Sequence, residues 1–454
     1  MTNLTSAESR EIDPVRAWQA FEPSPERPWD NRRAAHLFRR AGFGGSIREI
    51  ESAVSVGFKT AIDQVFKVDD QEIENEMVAA GRLVTGGSDS NQLAAWWLLR
   101  MTKTPSPFLE KLTLFWHGHF ATGASKVNDS RAMFRQNQLL RKHALGKFEP
   151  FLKKISSNVA MLIYLDSEEN RRTRPNENYA RELLELFCLG TGNYTEKDIK
   201  EIARCFTGWE IRKSKFRFNS HQHDKKTKSF LGATGDFDGN DSIEVILKQP
   251  AAPQFIARKL IRFFVYDEGP MTDAFVQPVA DKLRDSDFDI RETMKLILSS
   301  NVFYSDVAIG KKIKSPVELA VGFLRFFGAS TNMNALAPRL ASLGQLPLYP
   351  PNVKGWAGGK TWINASTILA RANLIAQILG NDKTKFESGS LENWAKANSK
   401  HNVADSVEWM EEFLLATPLS SETRSSLKEV LSKTKGNPRK SLASLAALPE
   451  FQLN

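Results

Sequence analysis

The sequence predicts a mainly α protein: one large multi-helix domain with a short irregular, β-like excursion around residues 211–241. Three observations predict it. Apolar residues recur at helical spacing through most of residues 31–209 and again from 242 onward. Glycines such as Gly42, Gly190 and Gly208 stand where those periodic stretches stop. One stretch, 211–241, is basic and poor in aliphatics, and its Phe216 and Phe218 alternate with basic residues as in a short strand or hairpin.

Residues 1–30 read as an extended segment, with Pro14, Pro23, Pro25 and Pro28 breaking any helix. They are polar and hold no apolar core, so they do not read as a signal peptide, and a cytoplasmic location is expected with another export route left open. Residues 31–380 form the main helical domain. It starts with NRRAAHLFRRAGFGG, where Arg32, His36, Arg39 and Arg40 share a helical face. That face is either a solvated or core-edge basic surface or an anion site, since arginine offers fixed forked donors. Helices follow over 46–104, 107–120, 128–146 and 148–165. After the excursion the helical pattern returns from 242, and a Pro/Gly/Trp loop fills 345–364. Residues 365–380 are helical, and residues 381–402 are polar and linker-like. The stretch 381–454 reads as a C-terminal helical region packed on the main domain.

The 454 residues contain 41 % hydrophobic and 25 % charged side chains, an ordinary soluble balance, and no apolar run long enough for a membrane span. Lys plus Arg minus Asp plus Glu is 62 − 53 = +9, which points to an anionic partner only if the charge is clustered. Two cysteines, Cys188 and Cys205, are too few for a disulfide framework and read as buried packing thiols.

The stretch 174–209 concentrates the polar chemistry. After Pro175, residues Asn178, Arg181, Glu182 and Glu185 fall on one helix face, walled by Tyr179, Leu183 and Leu186 on one side and Ala180, Leu184 and Phe187 on the other. Such a stripe is expected to be half buried, so its carboxylates must be paired, protonated or bound to a cation. Arg181 either pairs with Glu182, Glu185 or another carboxylate to fix packing, or orients a substrate. Gly190 ends the helix, Gly192-Asn193 turns the chain, and Thr195 with Asp198 caps a second helix whose apolar face is Ile199, Ile202, Ala203 and Phe206.

Four of the seven histidines stand in two H-x-H pairs, His117-Gly118-His119 and His221-Gln222-His223, the second followed by Asp224. In an extended segment both members of such a pair face one side, whereas on a helix they diverge by about 200°. Gly118 favours a helix end at the first pair, which would let both rings face one site. Imidazole with carboxylate suits a divalent transition metal, so His117, His119, His221 and His223 are the candidate ligands, with Glu182, Glu185 and Asp224 beside them. The same groups could instead act as acid/base pairs, His223 with Asp224 or His117 with Glu182. A core histidine and a surface-loop pair are the structural alternative.

Residues 211–228 carry Arg212, Lys213, Lys215, Arg217, Lys225, Lys226 and Lys228 around two phenylalanines. No nucleic-acid module is recognisable, so a solvated loop or a small anionic substrate is expected in preference to nucleic acid. KGWAGGKTW at 354–362 fails the phosphate-loop pattern, because Lys354 stands where the first glycine belongs and no apolar strand precedes it.

The order and content of RRAAHLFRRAGFG (32–44), LTLFWHGHF (112–120), the 174–209 stretch, HDKKTKSFLGATG (223–235), FIARKLIRFFV (255–265), PPNVKGWAGGKTWINASTILAR (350–371) and LPEFQLN (448–454) resemble the bacterial family called domain of unknown function 1800. The resemblance spans roughly residues 30–454, and Cys188 and Cys205 depart from it where small or β-branched residues are usual. It implies a mainly helical fold with the Asn-Glu-Asn…Arg-Glu-Leu-Leu-Glu helix at its centre, and it supplies no assigned catalytic residue. Some members are encoded beside a secreted-looking, alkaline-phosphatase-like family, which implies a protein partner, and an envelope role, as the alternative.

The expectation is therefore a metal- or anion-binding enzyme of hydrolytic or oxidative type with a His/Glu/Arg pocket. Glu182, Glu185, Arg181 and Asp224 are its candidate catalytic groups, and Asn176, Asn178 and Trp356 its substrate contacts. The alternative is a non-enzymatic binding or assembly partner in which the polar stripe is a structural ion network.

Overall fold

The computed structural model describes residues 13–454 except 69–70, 87–89, 270, 399–402 and 435–436. The fold is mainly α, with twenty-four α-helices and three two-stranded antiparallel sheets among the described residues. One continuous apolar core runs through them from Ala17 to Phe451. The C-terminal helix Pro438–Ala446 packs on Ala365–Gly380, and Ser421–Lys433 packs on Pro438–Ala446.

The helix Pro107–His119, PFLEKLTLFWHGH, is buried nearly all round. A helix in that position is expected to be apolar on every face. This one also buries Glu110, Lys111, Thr113, His117 and His119, and each therefore needs a partner in the interior.

The 211–241 excursion consists of two hairpins. Trp209–Arg212 pairs with Lys215–Phe218, and Lys228–Phe230 pairs with Ala233–Gly235. The first turns at Lys213 and Ser214, whose φ values of 50° and 54° match the twist a two-residue hairpin turn requires. Both Phe216 and Phe218 remain exposed on it, and Asp238 caps the helix that follows, Gly239–Leu247.

Two expectations change. Pro14 does not break a helix; it opens one, Pro14–Trp18, capped by Asp13. At the first helical position its missing N–H is one that would be unpaired anyway. Trp18 and Phe21 are then buried in the core, so this part of the N-terminal segment belongs to the fold, while residues 1–12 lie outside the described residues. The polar stretch 381–402 also holds structure. Lys385–Phe386 pairs with Ala329–Ser330, and Leu391–Asn398 is a helix.

Candidate functional site

The hairpin at 174–209 starts from a latch. Asn176 donates through Nδ2 to the Asp166 carbonyl at 2.9 Å and accepts the Asn178 N–H at 3.0 Å, while Asn178 Nδ2 donates to the Leu165 carbonyl at 3.0 Å. Both amides are thus engaged with backbone, fixing where the helix begins. Asn178–Glu182 is α-helical, but Leu183–Cys188 widens into a π-helix. The Leu189 N–H reaches the Leu184 carbonyl five residues back, at 2.9 Å, and Gly190 closes the end with φ +80°. The α pattern in the sequence gives no sign of this wider turn. Short π segments inside helices recur at functional sites because they re-aim side chains.

Along this face Arg181, Glu182 and Glu185 are half buried, as the walled stripe requires. Arg181 holds the Glu196 carboxylate with two nitrogens at 2.8 and 2.9 Å and reaches Glu177 at 3.3 Å. It ties the two helices of the hairpin together through carboxylates other than Glu182 and Glu185. Tyr194 donates its hydroxyl to Glu185 Oε2 at 3.3 Å. Burial and the Glu185 charge push that phenol up to about 12. Among the described residues Glu182 has no hydrogen-bond or ion-pair partner. Its carboxyl is raised, first by burial and then by the neighbouring Glu185 charge, against the weaker pull of Lys354 and Arg181. The Glu182 charge in turn helps burial raise Tyr164. Lys354 and Glu182 are brought together by the fold across a long stretch of sequence.

His117 and His119 both lie inside the helix Pro107–His119, one residue further than a stop at Gly118 allows, so their rings diverge. His117 Nε2 accepts the Leu348 N–H at 3.0 Å, and its ring lies 5.3 Å from Trp97 and 5.6 Å from Trp356. Leu348 needs that anchor, since it sits at φ +72°, costly for a branched side chain. His119 points elsewhere. Its Nε2–H donates to the Phe187 carbonyl at 3.1 Å, and Nδ1 is buried with no partner among the described residues, in a box of Phe115, Trp116, Phe120 and Phe187. Burial pushes His117 down to about 3 and His119 well below the usual imidazole range, with Lys259 adding to the second. Both rings are therefore neutral.

The loop that carries Trp356 closes over Gly118. Gly355, at φ +75°, lies so near that a Cβ there would sit 2.3 Å from the Gly118 carbonyl oxygen. Trp356 itself is half buried against His117.

The second pair is separate again. His221 is exposed, and its N–H bonds Asn219 Oδ1 at 3.2 Å. His223 is buried, donating from Nδ1 to the Thr207 carbonyl at 2.9 Å. Asp224 is held by Arg204 Nε at 2.7 Å and its N–H bonds Thr207 Oγ1 at 2.8 Å. Arg204 keeps that carboxyl below the usual range. The expected convergence of the two H-x-H pairs with Glu182 and Glu185 is thus not what the fold builds. Among the described residues no three His, Cys, Asp or Glu side chains stand together as a metal group. Cys188 and Cys205 are free and buried, and burial pushes the Cys205 thiol up to about 12.

A family model described as a protein of unknown function, DUF1800, matches residues 36–453. The chain belongs to the DUF1800 family. No curated protein and no solved structure matches it. Family membership therefore fixes ancestry and not chemistry. Among the described residues no helix is long and apolar enough to cross a membrane.

The sequence reading missed Tyr164, Tyr194 and Lys354 as neighbours of the carboxylates. Tyr194 had a local signal, because it follows the Gly192-Asn193 turn and so returns toward the helix it leaves. Lys354 had none.

Proposed function

We propose that the π-helical face bearing Glu182 and Glu185 is a hydrolytic acid–base site, with Glu182 as the proton donor. The observation that supports this reading is Glu182 itself: a half-buried carboxyl, raised by burial and by the Glu185 charge, with no partner among the described residues. A carboxyl whose surroundings favour its protonated form suits general acid catalysis. Glu185, which accepts the Tyr194 hydroxyl, lies beside it and supplies the base or electrostatic partner. Lys354 and Trp356 lie on the loop bordering this face, and Lys354 would orient an electron-rich group of the substrate. His119 backs this face through its bond to the Phe187 carbonyl, and the histidines transfer no proton in this scheme.

The same two carboxylates could share a divalent cation with substrate oxygens, which is the competing use of the pair. The test is a panel of ester, glycoside, amide and phosphoester substrates, run with and without divalent transition metals, on wild type and Glu182→Gln. Turnover without metal, lost by 100-fold or more in Glu182→Gln and falling on the alkaline side of its pH profile, is expected. Turnover that demands the metal would move the assignment to the cation. Turnover unchanged in Glu182→Gln would remove this face as the site, and silence across the panel with an ordinary Glu182 titration would leave a binding role.

A further inference from the structure

A second feature, away from the π-helical face, follows from the helix Asn31–Ala41 and the segment 308–318. Six cationic side chains meet here in the interior: Arg39, Arg40, Lys111, Lys312, Lys314 and Arg371, each at most 8 % exposed. Among the described residues two side-chain carboxylates pair with them. Glu318 takes Lys111, and Asp267 takes Lys312 at 2.5 Å. Burying a charge without a counter-charge is among the costliest things a fold can do.

The other four cations rest mainly on neutral oxygens. Lys314 Nζ donates to the Phe451 carbonyl at 2.7 Å, and Arg40 Nη2 donates to the Ala308 carbonyl at 2.5 Å. Arg371 donates to Gln452 Oε1 and to the Lys314 carbonyl, both at 2.7 Å. Arg39 has one long bond, 3.5 Å, to the Phe413 carbonyl. The atoms left unpartnered on these arginines are donors, although His36 Nδ1 and Nε2 and Glu450 Oε2 are also buried without a partner among the described residues. Arg39 Nε and Nη2, Arg40 Nε and Nη1, Arg371 Nη1 and Asn454 Nδ2 are buried donors with no acceptor among the described residues. Arg39, Lys314, Glu318 and Asn454 line one cavity between Phe43 and Phe451, with about 40 Å³ of water-accessible space. That is room for a few waters or one small polyatomic ion.

We propose that this cavity is a binding site for a tetrahedral oxyanion of the phosphate class, held by Arg39 and Lys314 with Asn454 as a further donor. Arginine forks match the oxygen spacing of such an ion, and charge-assisted bonds to it would satisfy the free donors of Arg39 and Asn454, which line the cavity. The charge surplus fits the same account. Burial and then the Arg39 and Arg371 charges push the Lys314 amine down to about 7, a strain that a bound anion would relieve. The site is independent of the acid–base reading of Glu182, which none of these residues touches.

The test uses the full chain, purified without phosphate or sulfate. Anions released on denaturation are measured by ion chromatography and total phosphorus. Melting temperature is then followed against inorganic phosphate at constant ionic strength and pH, for wild type, Arg39→Met and Arg181→Met. One equivalent of retained anion, or a rise of about 2 °C or more with phosphate that Arg39→Met loses and Arg181→Met keeps, is expected. Total phosphorus exceeding free phosphate would mean that the group arrives on a larger molecule; equality would mean the free ion. Sodium chloride reproducing the whole rise would make the effect non-specific and overturn the assignment. So would no retained anion together with no shift, or an equal shift in Arg39→Met. Should Arg39→Met not fold, Asn454→Ala replaces it, with the same loss expected.

Discussion

Glu110 and Glu182 both lie on helices rich in apolar residues, yet their surroundings treat them in opposite ways. Glu110 is fully buried, and its two oxygens take four hydrogen bonds, one from Arg100 Nε at 2.7 Å, two from Arg141 and one from Trp97 Nε1 at 3.0 Å. Burial alone would raise its pKa, but the Arg141 and Arg100 guanidiniums outweigh it and hold the carboxyl at about 2. Glu182 is only half buried and has no such partner among the described residues, so burial and Glu185 raise it. Depth therefore does not decide what a carboxylate does. The first is locked into the architecture, and the second is left free to exchange a proton.

The largest expected effect breaks the locked member. Glu110→Gln leaves the buried Arg141 with no counter-charge and Arg100 with Glu74 alone, so denaturant unfolding should register a loss of about 3–5 kcal/mol. A loss below about 1 kcal/mol would mean that the network is not structural. His117→Ala comes next, at about 2–4 kcal/mol, because it opens a cavity and strands the Leu348 N–H. His221→Ala, on an exposed ring, should stay within about ±0.5 kcal/mol in the same melts. Equal losses from the two would contradict the placement of the first pair in the core.

The pH dependence sharpens the contrast by its sign. Glu110 is depressed in the fold, so its contribution is present above the unfolded carboxylate value of 4.5 and is lost as pH falls toward about 2. The stability gap between wild type and Glu110→Gln should shrink across that window. Glu182 is raised, so its protonated form favours the fold, and that contribution is lost as pH rises through its folded value. The smallest effect follows: Glu182→Gln should stabilise the protein slightly at pH 7, by less than about 1 kcal/mol given its exposure, and not at pH 4. Destabilisation at pH 7 would show that Glu182 is held by a partner after all.

What the sequence disclosed divides along physical lines. Local rules were legible. Thr195 and Asp198 form the capping box they spell, Gly190 stops its helix in the left-handed region, and Phe216 and Phe218 fall on a strand. The half-buried stripe of Arg181, Glu182 and Glu185 was legible from its apolar walls. Long-range partners were not. Nothing within the helix Pro107–His119 announces that His117 serves Leu348 or that His119 serves Phe187. A glycine between two histidines suggested a helix end, but the helix continues through it, and Gly355 packs on the Gly118 carbonyl with no room for a Cβ of its own. The π-helix was illegible because LLELFC satisfies an α pattern equally well. The basic face of Arg32, His36, Arg39 and Arg40 was visible, yet only the fold separates Arg39 and Arg40, which are buried, from Arg32, which pairs with the exposed Asp306 at 3.5 Å.

The most direct measurement is a carbon-13 NMR titration of the glutamate side-chain carboxyls, with Glu182 assigned by its absence from the Glu182→Gln spectrum. The account predicts that Glu182 titrates above the ordinary glutamate value of 4.5 and moves back toward it in Glu185→Gln, which removes the neighbouring charge. A Glu182 that titrates at or below 4.5, or does not respond to Glu185→Gln, would contradict the account and remove it as the proton donor.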